Sequence, residues 1–322
     1  MKATTLIGID LGGTFVRVGV LDAAQARFLA YNHAPIEASR GPEAGVETII
    51  NLIEKTIAES DRRRVYGIGV GATGPLDRLR GLIQNPYTLP GWENVNILAP
   101  LSDRFGVPVV LENDADVAAL GEYWIGAGRD VSRLYAITVG TGIGTAFILN
   151  GEVYRGLNSA HPDGGHHIVD PAGPQCYCGA RGCWESLASG SAIARFAQEQ
   201  IVANPSSLLC SPAGGDANRI DAKMVAEAAQ QGDPLAVSVI EKTVHYFSLG
   251  LVNVVTLFVP EVIVLSGGVM KSSHLFMPAI GKALADHNVM VPAEQVRILP
   301  AQLGYLAGCV GAAYAILQKL NE

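Results

Sequence analysis

A strand-like run closed by a glycine turn and answered at once by another strand-like run occurs twice in this chain. That repetition constrains the fold more than any other feature. The apolar run from Thr5 to Asp10 ends in Leu11-Gly12-Gly13-Thr14, and Phe15 to Leu21 is again β-type. The pattern returns as Leu134 to Val139, Gly140-Thr141-Gly142-Ile143-Gly144, then Ala146 to Leu149. Placing Leu6 on Leu134 sets Gly12 on Gly140 and Asp10 on Thr138, an offset of 128 residues. A period of that size belongs to a whole domain rather than to a solenoid repeat, so two related halves are expected.

The spacing predicts helices over Gly45–Glu59, Ala115–Ile125, Ala222–Gln231, Pro234–Phe258, Ser273–Asp286 and Ala307–Leu320. Buried strands are expected at Val65–Val70, Val107–Leu111 and Val262–Leu265, the last running into Ser266-Gly267-Gly268. Alternating strands and helices indicate α/β layering. No linker or low-complexity stretch separates the halves, so a ligand is expected in a cleft between them.

With 322 residues, 49% of them hydrophobic and only 16% charged, the chain is too apolar for a disordered protein and suggests about two domains. A formal charge of −7 argues against a nucleic-acid or anionic-membrane binder. The one basic cluster, Arg62-Arg63-Arg64, reads as a solvated helix end. No secretory signal is visible near Lys2, and the apolar run from Tyr246 to Pro260 reads as too short and too polar to span a bilayer. Cytoplasmic residence is expected, in keeping with how the cysteines are used.

Three of the five cysteines crowd together: His166, Cys176, Cys178 and Cys183 form H-x9-C-x-C-x4-C. Three thiolates and one imidazole make a tetrahedral Zn²⁺ set, and glycines at 179 and 182 allow the tight turns that convergence requires. Four protein ligands close the coordination sphere, so this metal is read as structural. His167 is the alternative ligand, read as a bystander.

The two glycine turns offer backbone amides at Gly12, Gly13 and Thr14, and at Gly140, Thr141 and Gly142, as nests for phosphate oxygens. Asp10 stands beside the first nest and is placed to hold Mg²⁺, directly or through water. Either turn alone serves equally well as an ordinary tight hairpin; matched positions in two halves favour phosphate. Neither is followed by Gly-Lys-Ser/Thr, and neither opens a helix as a dinucleotide fingerprint would. At Glu112-Asn113-Asp114-Ala115 a strand end meets a helix. Asn113 or Asp114 can simply cap that helix, or Asp114 can accept a hydroxyl proton while Asn113 orients a substrate. Asp163 and Glu185 add carboxylates beside the cysteine loop, where polyol hydroxyls would need them.

Jointly these pieces resemble the ROK family of sugar kinases and sugar-responsive regulators. The matching segments are Asp10-Leu-Gly-Gly-Thr14, Gly71-Ala-Thr-Gly-Pro75, Leu89-Pro-Gly-Trp92 and Glu112-Asn-Asp-Ala115, then Gly140-Thr-Gly-Ile-Gly144, the cysteine cluster with Glu185, Ser266-Gly-Gly-Val269 and Gly311-Ala-Ala. The resemblance implies an actin-like ATPase (ribonuclease H-like) fold of two lobes with a central ATP–sugar cleft. It implies a small lobe over 1–112, completed by a C-terminal helix at 306–322, and a large lobe over 113–305 carrying the zinc loop.

The resemblance also implies roles. Asp114 would be the general base for a sugar 6-hydroxyl. Gly74, Thr88, Asn113, Asp163, His166 and Glu185 would contact the sugar. Gly12 to Thr14 and Gly140 to Gly142 would bind ATP phosphates, Gly267 and Gly268 would lie near the adenosine, and Mg²⁺ would bridge phosphates with help from Asp10. The implied activity is an ATP-dependent hexose kinase, glucose first, with N-acetylmannosamine, mannose, fructose and allose as alternatives. A homodimer or homotetramer is implied.

A non-catalytic sugar-sensing regulator is the competing reading. Such regulators carry an N-terminal winged helix, and here Asp10 already belongs to the first strand. Three departures stand out. Asp163-Gly-Gly-His166 replaces the common Glu-x-Gly-His, Thr88 stands for an Asn, and Asp116 occupies a position where a second Asn is usual.

Overall fold

The computed structural model describes residues 5–61, 64–287 and 290–322, so Lys2, Arg62 and Arg63 lie outside the described residues. In chain order the strands are β1 (Thr5–Leu11), β2 (Phe15–Asp22), β3 (Arg27–Pro35), β4 (Gly67–Ala72), β5 (Leu76–Asp77), β6 (Leu82–Ile83), β7 (Val95–Asn96), β8 (Val109–Asn113), β9 (Arg133–Val139), β10 (Ile143–Leu149), β11 (Glu152–Val153), β12 (Val262–Ser266) and β13 (Arg297–Pro300). The α-helices are α1 (Pro42–Glu59), α2 (Leu98–Phe105), α3 (Asp114–Ile125), α4 (Trp184–Ala188), α5 (Gly190–Gln200), α6 (Cys210–Ala213), α7 (Ala222–Gln230), α8 (Pro234–Phe258), α9 (Met277–His287) and α10 (Ala307–Asn321).

The duplication seen in the sequence is a duplication of sheets. One five-stranded sheet has the order β3-β2-β1-β4-β8 and the other β11-β10-β9-β12-β13. In each, an antiparallel hairpin built on a glycine turn leads into parallel neighbours: β1 pairs parallel with β4, and β9 with β12. The hydroxyls of Thr138 and Ser266 meet at 2.8 Å where the second sheet ends, Thr138 being the position that answers Asp10 in the first.

The chain divides into two compact units. The first holds Met1–Ser132, Phe147–His161 and Ala301–Glu322; the second holds Arg133–Ala146 and Pro162–Pro300. In the first, strands β1, β2 and β4 contribute Ile7, Ile9, Leu11, Val16, Val18, Val20, Ile68 and Val70 to a core closed by Ile49, Leu52 and Ile53 of α1. The alternating apolar positions of the strands and the 3.6-residue stripe of the helix meet there. On the other face α10 lies against β1, β4 and α3. Its approach is so close that a Cβ at Gly8 would sit 1.8 Å from the Cys309 carbonyl oxygen, and one at Gly311 1.6 Å from that of Val117. Only glycine permits backbone-on-backbone packing of this kind.

In the second unit α8 is the central helix, with α4, α5, α7 and α9 packed against it. Asp233 caps its start by accepting from the Ala236 amide at 2.8 Å, and Pro234 occupies the first turn, where its missing N–H costs nothing. It is the one helix, among the described residues, long and apolar enough to cross a membrane, but Leu235, Val239, Phe247, Leu251 and Val255 are buried in the unit. Trp184, fully buried, stacks on Phe247 of α8 at 5.3 Å and so anchors the end of the cysteine loop in this core.

Candidate active site

In the first unit, Asp114 stands at the start of α3, where β8 ends. The side-chain oxygen of Asn113 accepts from the Ala115 amide at 2.8 Å, so Asn113 is the N-cap. Its Nδ2 is left over and lies 3.3 Å from where a Cβ on Gly74 would be, so cap and ligand roles are compatible. Asp114 accepts from the same amide at 2.9 Å and from the Thr73 hydroxyl of the Gly71–Pro75 segment. Burial raises its pKa above the ordinary carboxylate value, and the neighbouring charge of Asp10 adds to the rise. That is the direction a general base needs, since its proton affinity must approach that of the operating medium.

Asp10 is itself raised by burial, against the pull of Arg17, whose Nη1 lies 3.0 Å from one carboxylate oxygen. The hairpin register places Arg17 directly opposite Asp10, a pairing that counting back across the turn would have found. The other carboxylate oxygen is left for a cation, which suits Mg²⁺, an ion held through one or two carboxylates plus phosphate oxygens.

The first turn differs from expectation in one respect. The Gly12 amide donates to the Phe15 carbonyl at 3.0 Å and closes the hairpin. Among the described residues Gly13 and Thr14 keep unpartnered amides. The second turn repeats this: the Gly140 amide donates to the Gly142 carbonyl at 2.9 Å, leaving Thr141 and Gly142. Each three-residue turn thus spends one amide on its own closure. Gly13 also packs against Thr88, whose carbonyl oxygen would lie 2.6 Å from an added Cβ. The Thr88 hydroxyl accepts from Asn85 Nδ2 at 2.7 Å, and Asn85 Oδ1 accepts from the amides of Tyr87 and Thr88. Asn85 is thus the hidden organiser of the segment in which Thr88 was singled out.

Asp116, the unexpected carboxylate, is fully buried and doubly paired. Arg155 Nη1 lies 2.9 Å from one of its oxygens and His161 Nδ1 3.0 Å from the other. Arg155 also pairs with Glu112, which Arg78 engages at 2.9 Å on its second oxygen. Burial raises Glu112 in spite of the two guanidinium groups. An Asn at 116 offers only one acceptor oxygen to this pair of donors, which accounts for the carboxylate. Nothing in the sequence near Asp116 pointed to Arg155 or His161, about forty positions away.

In the second unit, one ligand atom each from His166, Cys176, Cys178 and Cys183 lies within 4.8 Å of all the others. Cys178 and Cys183 Sγ are 3.5 Å apart, and Cys176 Sγ is 3.6 Å from His166 Nδ1. Tetrahedral zinc with bonds of about 2.3 Å to sulfur and about 2.0 Å to nitrogen requires separations of roughly 3.5–3.8 Å, so the residues fit that ion. The Ala180 amide lowers the Cys178 pKa by hydrogen bonding, whereas burial and the neighbouring thiols push Cys183 up to about 12. A thiolate at Cys183 therefore needs a cation beside it.

The cysteine turn is shaped by Cys176 and Gly179 backbone bonds and by Gly179 and Gly182 at φ +96° and +69°. His167 faces away from this group. Its Nδ1–H donates to the Gly164 carbonyl at 2.6 Å and its ring tilts over Trp184 at 5.1 Å, with burial lowering its pKa.

Glu185 ties the cysteine loop to the second glycine turn, because one of its oxygens accepts from the Ile143 amide at 2.8 Å. The same turn is held by the start of α5, where the Gly190 amide donates to the Gly140 carbonyl at 2.8 Å. Asp163, with its side chain 59% exposed, reaches His166 Nε2 only at 3.6 Å. Tyr177, absent from the sequence-based candidates, joins this group: its hydroxyl is 3.1 Å from His166 Nε2 and feels the charge of Glu185. Gly267, at φ +96°, follows β12 and packs where a Cβ would lie 2.3 Å from the Val139 carbonyl oxygen; Gly268 adjoins it. The structure therefore brings together Asp10, Gly13, Thr14, Gly74, Thr88, Asn113 and Asp114 in one unit. In the other it brings together Asp163, His166, Glu185 and the cysteines, with Gly140 to Gly142 joined to them through Glu185.

Comparison with known proteins gives a consistent answer. A family-wide sequence profile, that of the ROK family, matches residues 6–319. The glucokinase of Thermotoga maritima is 33% identical over 322 residues, covering 100% of both chains. The crystal structure of a ROK hexokinase from Thermus thermophilus superposes with a TM-score of 0.84 at 32% identity, covering 99% of this chain and 100% of that one. A ROK family glucokinase from Streptomyces griseus, solved in complex with glucose and AMPPNP, gives 0.78 at 33% identity, with 98% and 99% covered. A xylose repressor of Bacillus spizizenii is 25% identical over 323 residues, and this chain spans 79% of its length. The two sheets of matched order, each opened by a glycine-turn hairpin, are those of the actin-like ATPase (ribonuclease H-like) fold, and the chain belongs to the ROK family.

Proposed function

We propose that this protein is an ATP-dependent sugar kinase that transfers the γ-phosphoryl group of ATP to the 6-hydroxyl of a hexose, with glucose the first candidate. The observation that carries the reading is Asp114: a carboxylate raised by burial, oriented by the Ala115 amide and the Thr73 hydroxyl, and near enough to Asp10 for their charges to interact. A protein that only senses sugar has no use for a base beside a phosphate turn.

In this reading Asp114 takes the proton from the 6-hydroxyl as that oxygen bonds to the γ-phosphorus, and the bond from phosphorus to the bridging oxygen breaks to release ADP. The free amides of Gly13, Thr14, Thr141 and Gly142 hold phosphate oxygens in line, so most of the rate enhancement is positioning and charge neutralisation. Asp10 would hold Mg²⁺, which would supply charge neutralisation for the phosphates. Asn113 Nδ2, Gly74 and Thr88 would orient the sugar, and His166, Glu185 and Asp163 would engage its hydroxyls. His166, Cys176, Cys178 and Cys183 would hold zinc, which would supply rigidity to the loop; with His166 Nδ1 turned toward Cys176, Nε2 is left to meet the sugar. Gly267 and Gly268 flank the adenosine. Cytoplasmic residence, where thiolates stay reduced, suits this metal set, and a homodimer or homotetramer is the expected assembly.

Asp163 is one methylene shorter than Glu, so mannose, N-acetylmannosamine, fructose and allose compete with glucose as the acceptor. The relationship to xylose repressors favours, as the second reading, a sugar-responsive regulator without catalysis. Coupled ADP release with MgATP across hexoses and N-acetylhexosamines separates them. Turnover with one sugar well above the rest is expected. Silence across the panel from folded, zinc-loaded protein would remove the kinase reading.

A further inference from the structure

The Tyr177 hydroxyl sits where His166 and Glu185 converge. Tyr177 lies between two of the cysteine ligands, so the backbone of the metal loop fixes its Cα whatever its side chain does. Its ring packs edge-on against His166, with centroids 5.1 Å apart at 87°. Its Oη lies 3.1 Å from His166 Nε2, with the Glu185 carboxylate near enough for its charge to act on the phenol. Because His166 Nδ1 faces Cys176 Sγ and is given to the metal, the ring proton is on Nε2. Nε2–H then donates to Oη, and the phenol O–H is left to turn toward the nearby Glu185 carboxylate.

One O–H group therefore accepts from the imidazole while facing the carboxylate. A sugar hydroxyl engaged by both residues takes the same place, and two oxygens cannot occupy that point together. The Tyr177 residue is also 83% exposed, so no packed core holds the ring in place. Leaving the site costs it one hydrogen bond and one edge contact.

We propose that Tyr177 is a substrate-mimicking gate: its hydroxyl holds the place of one sugar hydroxyl while the site is empty and swings out when sugar binds. The proposal rests on the reading of His166 and Glu185 as the sugar-gripping pair. A self-occupied site lowers apparent affinity by the fraction of time it stands open. Removing the competing hydroxyl should therefore tighten binding, the opposite of what losing an ordinary site residue does.

The test is calorimetric titration of glucose into zinc-loaded wild type, Tyr177→Phe, Tyr177→Leu and Glu185→Gln, with KM measured in parallel. Both Tyr177 variants are expected to bind glucose about three- to tenfold more tightly, the scale of one exchanged hydrogen bond, with KM falling by the same factor. Glu185→Gln should weaken binding. If it does so and neither Tyr177 variant tightens binding, the gate is refuted and the gripping pair survives. If Glu185→Gln leaves glucose affinity unchanged, the gripping pair is refuted and the gate with it. Weaker binding by both Tyr177 variants would make Tyr177 a direct sugar ligand or a prop for His166, and would also refute the gate.

Discussion

Replacing Asp114 by Asn tests the proposed chemistry with little change of shape. The amide keeps an oxygen to accept from the Ala115 N–H, now at 2.9 Å, and the Thr73 hydroxyl can turn to accept from the new NH₂. The orienting bonds survive, so the loss is that of the proton acceptor alone, typically about 10²–10⁴-fold in rate, or about 2.7–5.4 kcal/mol of transition-state stabilisation. Stability should move the other way. Because burial raises Asp114 in the folded state, the folded protein binds that proton more tightly than the unfolded chain does. The carboxylate therefore lowers stability as pH rises from its unfolded value toward its folded one, and the penalty persists above both. Asp114→Asn should melt above wild type at neutral pH and lose that advantage in acid, below the unfolded carboxylate value. The wild-type kcat/KM should fall on its acid limb with a midpoint above the ordinary carboxylate value. Coupled ADP release and thermal melts across pH report both effects. A variant that retains a tenth or more of wild-type turnover would show that another group takes the proton.

Metal analysis should find one zinc per chain, and a chelator that removes it should raise the sugar KM more than tenfold while unfolding the 163–185 loop; full sugar affinity in metal-free protein would contradict the role given to His166. Arg155→Ala strips a shared partner from buried Glu112 and Asp116, leaving Glu112 with Arg78 and Asp116 with the His161 ring. It should cost about 3 kcal/mol in urea unfolding, the low end for a broken buried pair, and a loss below about 1 kcal/mol would mean that the network is solvated. Asp163→Glu adds the methylene that closes the 3.6 Å gap to His166 Nε2 and should raise kcat/KM for glucose about tenfold or more relative to the other hexoses. An unchanged sugar preference would remove position 163 from the specificity argument.

Much of the candidate site was legible from local chemistry. Side chains supplied by one short loop cluster in sequence, so the gathering of Cys176, Cys178 and Cys183 was visible before the fold. Glycine turns between apolar runs did the same for both hairpins. The helix boundaries moved little, α8 matching at both ends and Ser273–Asp286 shortening to Met277–His287 behind a stretch of 3₁₀ helix. The edge strand β3 passed unread because its alternation is weak and both of its faces are half exposed. Long-range partners were silent for a different reason. Arg155 and His161 reach Asp116 only because the chain returns to the first unit through Phe147–His161, and no periodicity encodes that return.

What the sequence determines alone is therefore whatever hydrophobic spacing and covalent proximity impose: α/β layering, the duplicated hairpins and the gathering of one histidine with three cysteines. Tertiary structure decides which amides are spent on turn closure and which stay open. It decides that Asn113 caps and still keeps a donor, that burial lifts Asp114, and that Tyr177 fills the space between His166 and Glu185. Each of these depends on the distance and desolvation of groups brought together by folding. Such quantities arise only when the chain has closed on itself and water has left.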